Sequence, residues 1–201
     1  YYKEFVRGGA NLPEDKKERF RKINEELSVL TLKFSDNILK EDNQYKFVID
    51  KEEDLEGLPE NVRAAAAKAA KDAGLEGKWI ITMHKPSWIP FLQYSAKREL
   101  REKVYKAWMN RGNNPNEFNN NATLTRIAQL RLERANLLGF PTHAHYVLDD
   151  NMAKNPERVY ELLNKLWKPA LEKAKQEVRE MQAIIDKEGG QFKLESWDWW
   201  Y

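Results

Sequence analysis

Only three histidines occur among the 201 residues, His84, His143 and His145, and there is no cysteine. Ligands and nucleophiles are therefore scarce. His143 and His145 form an i, i+2 pair, which on a helix points its two rings about 200° apart and on a strand points them to one face. In the helical case they cannot share a metal ion. His145 and Asp149 are i, i+4 and could meet on one helical face, but two ligands do not make a zinc site, which needs three or four. Capping or structural hydrogen bonding is the other use for these side chains. No two histidines have the i, i+4 spacing of His-Glu-x-x-His, and there is neither a glycine-rich phosphate loop nor Gly-x-Ser-x-Gly. The acidic pairs Asp149-Asp150 and Glu52-Glu53 read as solvated. Residue chemistry alone assigns no catalytic residue, no metal ligand and no cofactor-binding residue.

The elements that would position these groups are mostly helical. Leu12-Pro13-Glu14-Asp15 is a helix start, with proline at the entry and acids near the positive end of the dipole. Phe20, Ile23, Leu27, Leu30 and Phe34 follow at spacings of 3 and 4, the apolar seam of one long helix. The seam is too short for a coiled coil and predicts a packed bundle helix. Tyr45–Asp50 and Lys78–Met83 carry aromatic and β-branched residues at period 2 and predict two short strands that could pair in a small sheet. Between them Pro59 opens an alanine-rich helix with Val62, Ala66, Ala69 and Ala73 on one face. Gly74 stops it, and Leu75 stands where a Schellman contact belongs.

Three more helices are expected. Ser95 is placed as the N-cap of a segment through Leu100, Val104, Ala107 and Trp108 to Gly112. A second runs from about Asn121 through Leu124, Ile127, Ala128, Ala135 and Leu138 to Gly139. The last starts after Asn155 and carries an apolar stripe as far as Gly189-Gly190, with Pro169 predicting a kink or a split at Lys168. The fold class is mainly α: an elongated helical bundle with a very small β-element. Its divisions are 1–43, a long helix region; 44–94, strand-helix-strand; and 95–201, helices.

Composition narrows the functions. Hydrophobic residues make up 41% and charged residues 33%, with 34 basic against 32 acidic side chains. That balance argues against a nucleic-acid binder, which carries a basic excess, and no apolar run approaches the ~20 residues that span a bilayer. The lack of cysteine excludes disulfides and thiolate metal sites and fits a reducing compartment. Asn121-Ala122-Thr123 is a formal glycosylation sequon and is read as chance. The end of the sequence, Ser196-Trp-Asp-Trp-Trp-Tyr201, concentrates aromatic area where chains are usually polar. If Asp198 caps a new helix, Trp199 to Tyr201 are its first turn and Trp197 is its hydrophobic staple. On that reading the polypeptide is an internal fragment, and the aromatic tail is a surface for association.

Several stretches together resemble the thimet oligopeptidase and peptidyl-dipeptidase family of zinc metallopeptidases. Gly139-Phe-Pro-Thr-His-Ala-His-Tyr-Val-Leu-Asp-Asp-Asn-Met-Ala-Lys154 is similar to that family's Gly-Phe…His-Ala-x-Tyr-x-Leu…Met-Ala segment. Arg111 to Asn120 with Leu130-Arg131, and Thr82 to Leu92, fit the neighbouring segments, and Trp197-Asp198-Trp199 with Tyr201 is closer to the peptidyl-dipeptidase branch. The resemblance implies part of a helical, cleft-containing metallopeptidase domain acting on short peptides. This stretch would supply scaffold and part of the cleft wall. It also implies zinc held by His-Glu-x-x-His and a later Glu. By family order that motif follows Tyr201, so no zinc ligand or general base carries over, and the chain alone is expected to hold no zinc and to be inactive. No nucleic acid and no membrane are expected as partners, and the implied compartment is the cytoplasm, a periplasmic address being equally compatible. A non-catalytic helical interaction module is the class-distinct alternative.

Overall fold

The computed structural model describes all residues from Tyr1 to Tyr201. The elements in order are α1 (Tyr2–Arg7), α2 (Glu14–Gln44), β1 (Phe47–Ile49), a 3-10 turn (Glu52–Leu55), α3 (Glu60–Asp72), β2 (Trp79–Ile81), α4 (Lys85–Tyr94), α5 (Arg98–Met109), α6 (Asn121–Leu137), α7 (His143–Leu148) and α8 (Pro156–Lys187). The protein is mainly helical, with one two-stranded sheet. No helix is long and apolar enough to cross a membrane. Two compact units are present, Tyr1–Ser35 with Asn120–Glu177, and Asp36–Asn119 with Val178–Tyr201. The first contains α1, α6 and α7, the second both strands and α3 to α5. The long helices α2 and α8 each contribute to both.

In the first unit the seam of α2 packs on α6. Ile23, Leu27, Ile127 and Leu130 form a buried cluster, with Leu30, Phe34 and Leu137 against it. Pro13 starts α2 as expected, its carbonyl accepting from Lys16 and Lys17 N–H. The face expected of α6 needs correction. Thr123, Ile127, Leu130 and Ala135 are buried, whereas Leu124 and Ala128 are exposed. Partner packing selected the stripe through Leu130, and propensity could not choose between two adjacent apolar stripes.

In the second unit β1 and β2 pair antiparallel with Phe47 opposite Ile81, Val48 opposite Ile80 and Ile49 opposite Trp79. Both strands are shorter than predicted. Their inner face joins Leu55, Leu58, Val62, Ala66, Met83, Trp88, Phe91, Leu92, Leu100 and Val104 in one core. Helix α3 buries Val62, Ala66 and Ala70 rather than Ala69 and Ala73. Its end is the Schellman motif the sequence indicates: Leu75 N–H reaches Ala70 O at 2.9 Å and Gly74 N–H reaches Lys71 O at 3.0 Å, with Gly74 at φ +76°.

Three expectations fail for identifiable reasons. Helix α4 was not foreseen, because Pro86 and Pro90 fall within ten residues. Pro86 occupies the first turn, where its missing N–H costs nothing. Ser95 does not cap α5 but ends α4, and Lys97 precedes Arg98 as the cap residue. Helix α8 is not split at Lys168; it runs unbroken through Pro169. Residues 161–170 are all exposed, so the carbonyl that Pro169 deprives of a donor lies in an exposed turn.

Candidate functional site

The histidine pair lies on α7, so the helical alternative applies. Thr142 caps this helix, its Oγ1 accepting from His145 N–H and lying 2.8 Å from His145 Nδ1. His145 Nε2 is 3.9 Å from Glu157 Oε1. His143 turns the other way, packing on Tyr146 at 6.2 Å between centroids, with Nδ1 enclosed and unbonded. Burial first, and then the charges of Arg131 and Arg134, push its pKa below the ordinary histidine value, so the imidazole is neutral at pH 7. Asp149 does not meet His145. It accepts from Arg7 Nη1 at 2.9 Å and lies 3.4 Å from Lys3 Nζ, while Arg7 Nη2 donates to Tyr146 O at 2.8 Å. The two rings diverge, the Asp149 carboxylate is held by Arg7 and Lys3, and no three His, Asp or Glu side chains converge anywhere in the chain. His84 precedes α4 and is exposed, without a side-chain cap bond.

The second group of charged side chains is in the second unit and centres on Asp198, whose carboxylate bonds residues that precede it rather than the amides that follow. Residues 196–200 form turns rather than a helix. The capping role falls three residues earlier: Asp198 Oδ2 accepts from Glu195 N–H at 3.0 Å, and Asp198 N–H donates to Glu195 O at 3.0 Å. The carboxylate bond is one arm of a capping box, with Asp198 in the third-residue role, and the backbone bond between the same two residues closes a turn. The same carboxylate takes Arg98 Nη2 and Arg101 Nη2, each at 2.9 Å. Burial would raise the pKa of Asp198, but Arg98, the Glu195 amide and Arg101 outweigh it and hold the group below the usual aspartate value. Aromatic rings close over the pair, Tyr201 at 4.0 Å from the Arg101 guanidinium carbon and Phe192 at 4.3 Å from that of Arg98. Trp200 meets Trp88 edge-on at 5.9 Å and Trp197 meets Tyr105 at 6.4 Å. The tail therefore folds on α4 and α5, yet Trp199 and Trp200 keep 46% and 41% of their surface exposed.

A third group fixes the asparagine-rich loop after α5. Buried Glu41 accepts from the Gly112 amide and from Asn114 Nδ2 and Asn116 Nδ2, the latter two at 2.8 Å, and Arg111 pairs with Asp42 at 3.0 Å. Sequence reasoning missed Glu41 and Arg101, although both left a signal. The α2 seam continues past Phe34 at the same spacing as Asn37 and Glu41, and Arg101 lies three residues before Val104 on the core face of α5.

Residues 91–201 match the family model for peptidase family M3. The chain belongs to that family. It is 34% identical over 200 residues to oligopeptidase A of Haemophilus influenzae, covering 98% of this chain and 29% of the relative. With dipeptidyl carboxypeptidase of Escherichia coli it shares 32% over 198 residues, covering 98% and 29%. With a probable cytosolic oligopeptidase A of Arabidopsis thaliana it shares 35% over 193 residues, covering 93% and 27%. The chain thus spans less than a third of the length of these curated relatives. The motifs that carried the resemblance, on α7 and in the tail, lie inside the matched region of the M3 model. The similar identities to the oligopeptidase and carboxypeptidase relatives do not separate the two branches.

Proposed function

We propose that this M3 chain is one stretch of a longer zinc-dependent oligopeptidase or peptidyl-dipeptidase that cleaves short peptides. In this reading its two-stranded sheet and helices supply scaffold and part of a cleft wall. The observation that carries it is the similarity along 98% of the chain to relatives named for peptide cleavage. Zinc would be held by residues outside these 201, since the donor set present does not fit it. When bound it would polarise a water molecule for attack on the peptide carbonyl. The side chains present here hold structure, and none is assigned a catalytic role. A cytoplasmic location is proposed by analogy with the probable cytosolic oligopeptidase A of Arabidopsis thaliana.

The test has two arms. The gene encoding this stretch should specify His-Glu-x-x-His beyond Tyr201, and the full-length product should hydrolyse a quenched-fluorescent pentapeptide with activity abolished by a chelator and restored by zinc. The isolated 201 residues should neither hydrolyse it nor retain one zinc per chain after dialysis. A full-length protein that carries no such motif and turns over no peptide would overturn the reading. It would favour the interaction-module alternative, which the half-exposed Trp199 and Trp200 support.

A further inference from the structure

Arginines along the α2 and α6 helices of the first unit fall into two classes. Arg19 is bonded twice to Glu133 and Arg126 twice to Glu26. Arg131 and Arg134 form no ion pair. Arg134 donates to Asn24 Oδ1 at 3.2 Å and lies 5.5 Å from the Tyr146 centroid, with its Nε enclosed and unbonded. These two guanidiniums border a groove of about 510 Å³ lined otherwise by Asn24, Ser28, Thr31, Ser35, Leu27 and Leu32. No carboxylate lines it. Glu133 and Glu26 on the same two helices are already paired with Arg19 and Arg126, and the charges of Arg131 and Arg134 add to burial, the larger cause, in lowering the pKa of His143.

The dimensions point to an extended ligand. Asn24, Ser28, Thr31 and Ser35 recur at spacings of 4, 3 and 4 and make one polar stripe; eleven residues of helix rise about 16 Å. About five extended residues cover that length at ~3.3 Å each. Arg131 and Arg134 are i, i+3 and sit about 5–6 Å apart at Cβ, close to the ~6.6 Å between same-face side chains two residues apart on an extended peptide.

We infer that this groove binds an extended acidic peptide segment of Glu-x-Glu type, its two carboxylates on Arg131 and Arg134 and its main chain along the Asn24, Ser28, Thr31 and Ser35 stripe. Guanidinium and carboxylate match in charge and in fork geometry; the Thr31 and Ser35 hydroxyls and the Asn24 Nδ2 can donate to a peptide backbone, while the Ser28 hydroxyl, which donates to Asn24 O at 2.9 Å, can accept from it. The apolar floor of Leu27 and Leu32 takes the intervening side chain. The inference is independent of catalysis by the longer protein. Binding without hydrolysis would leave it standing while the peptidase reading fell.

Fluorescence anisotropy on the 201-residue chain tests it, with fluorescein-labelled Gly-Glu-Ala-Glu-Gly amide as probe and the Gln-for-Glu peptide beside it at low salt. The Glu peptide should bind at least about tenfold tighter than its Gln counterpart and weaken as salt rises. R131Q should cost about tenfold, and since Arg131 is exposed on α6 its loss leaves the helix intact, which circular dichroism verifies. R134Q should act in the same direction. K68Q on α3, an exposed lysine of the second unit that does not line the groove, should leave the affinity unchanged. Equal affinity for the two peptides, an R131Q chain indistinguishable from the parent, or inorganic phosphate binding as tightly as the Glu peptide would overturn the assignment. The last result would make the site one for free oxyanions.

Discussion

Asp198 is the single carboxylate for two arginines, so its removal is the most informative perturbation of the fold. In D198A the Arg98 and Arg101 guanidiniums and the Glu195 amide lose acceptors at 2.9 to 3.1 Å. The two arginines differ in what replaces the loss. The side chain of Arg98 is 28% exposed and regains water, but that of Arg101 is 3% exposed and does not. Truncating one partner of a buried, hydrogen-bonded pair costs about 3–5 kcal/mol, while the Arg98 arm contributes under about 1 kcal/mol because solvent screens it. For a chain of this length each kcal/mol lowers the melting temperature by about 2–4 °C. D198A should therefore melt about 6–24 °C below the parent, with the tryptophan emission shifting red as Trp197 and Trp200 come off α5 and α4. The assay is thermal melting followed by circular dichroism and intrinsic fluorescence in parallel.

Two further arms discriminate cause from coincidence. Replacing both partners with apolar side chains, R101M with D198L, should recover more than half of the loss, since an apolar pair of similar volume needs no compensation. The pH dependence has a definite sign. The folded pKa of Asp198 lies below its ordinary value of 3.8. The stabilisation is therefore complete above the unfolded value and is lost as pH falls through the folded one. The gap between parent and D198A should be constant from pH 5 to 8 and close below pH 3.8. A D198A chain melting within about 2 °C of the parent, or a double variant no better than the single one, would refute the assignment of Asp198 as a structural latch.

Glu41 and Gly57 give two independent checks. E41A leaves the Gly112 amide and the Asn114 and Asn116 side chains without their acceptor. It should cost about 2–4 kcal/mol in urea unfolding, with amide exchange accelerated over residues 112–119; unchanged exchange there would show that the loop holds itself. G57A should cost about 2–4 kcal/mol, because Gly57 sits at φ +85° and a methyl group there would overlap the Tyr94 carbonyl. G74A, also at positive φ but with open space around it, should cost only about 1 kcal/mol, and equal losses at the two sites would remove the steric argument.

Which of these features could be read from the sequence follows from the range over which each is determined. The α2 seam and the Schellman end at Gly74 are set by neighbours within a turn or two, and both stand where the spacing puts them. The choice between the Leu124 and Leu130 stripes of α6 depends on which face α2 presents, a contact about 100 residues away in sequence, so periodicity could not make it. Asp198 is the sharper instance. Locally, an acid ahead of Trp199, Trp200 and Tyr201 satisfies every rule for a helix cap, but the chain places two arginines from α5 against it. A carboxylate held by two guanidiniums and the Glu195 amide has no lone pair to offer Trp200 or Tyr201 N–H. Long-range charge pairing thus commits the carboxylate that local spacing offered as a cap. The same limit governs α8: its pattern marks an apolar stripe through Leu162, Leu163 and Leu166, yet those three remain 50–59% exposed and the helix buries no residue. Amphipathic spacing says that a face can be covered, while the identity of the cover is written in another segment's sequence. Under the proposed reading the catalytic assignment obeys the same logic: zinc ligands would lie in other segments, since no two of the three histidines here have the i, i+4 spacing of His-Glu-x-x-His.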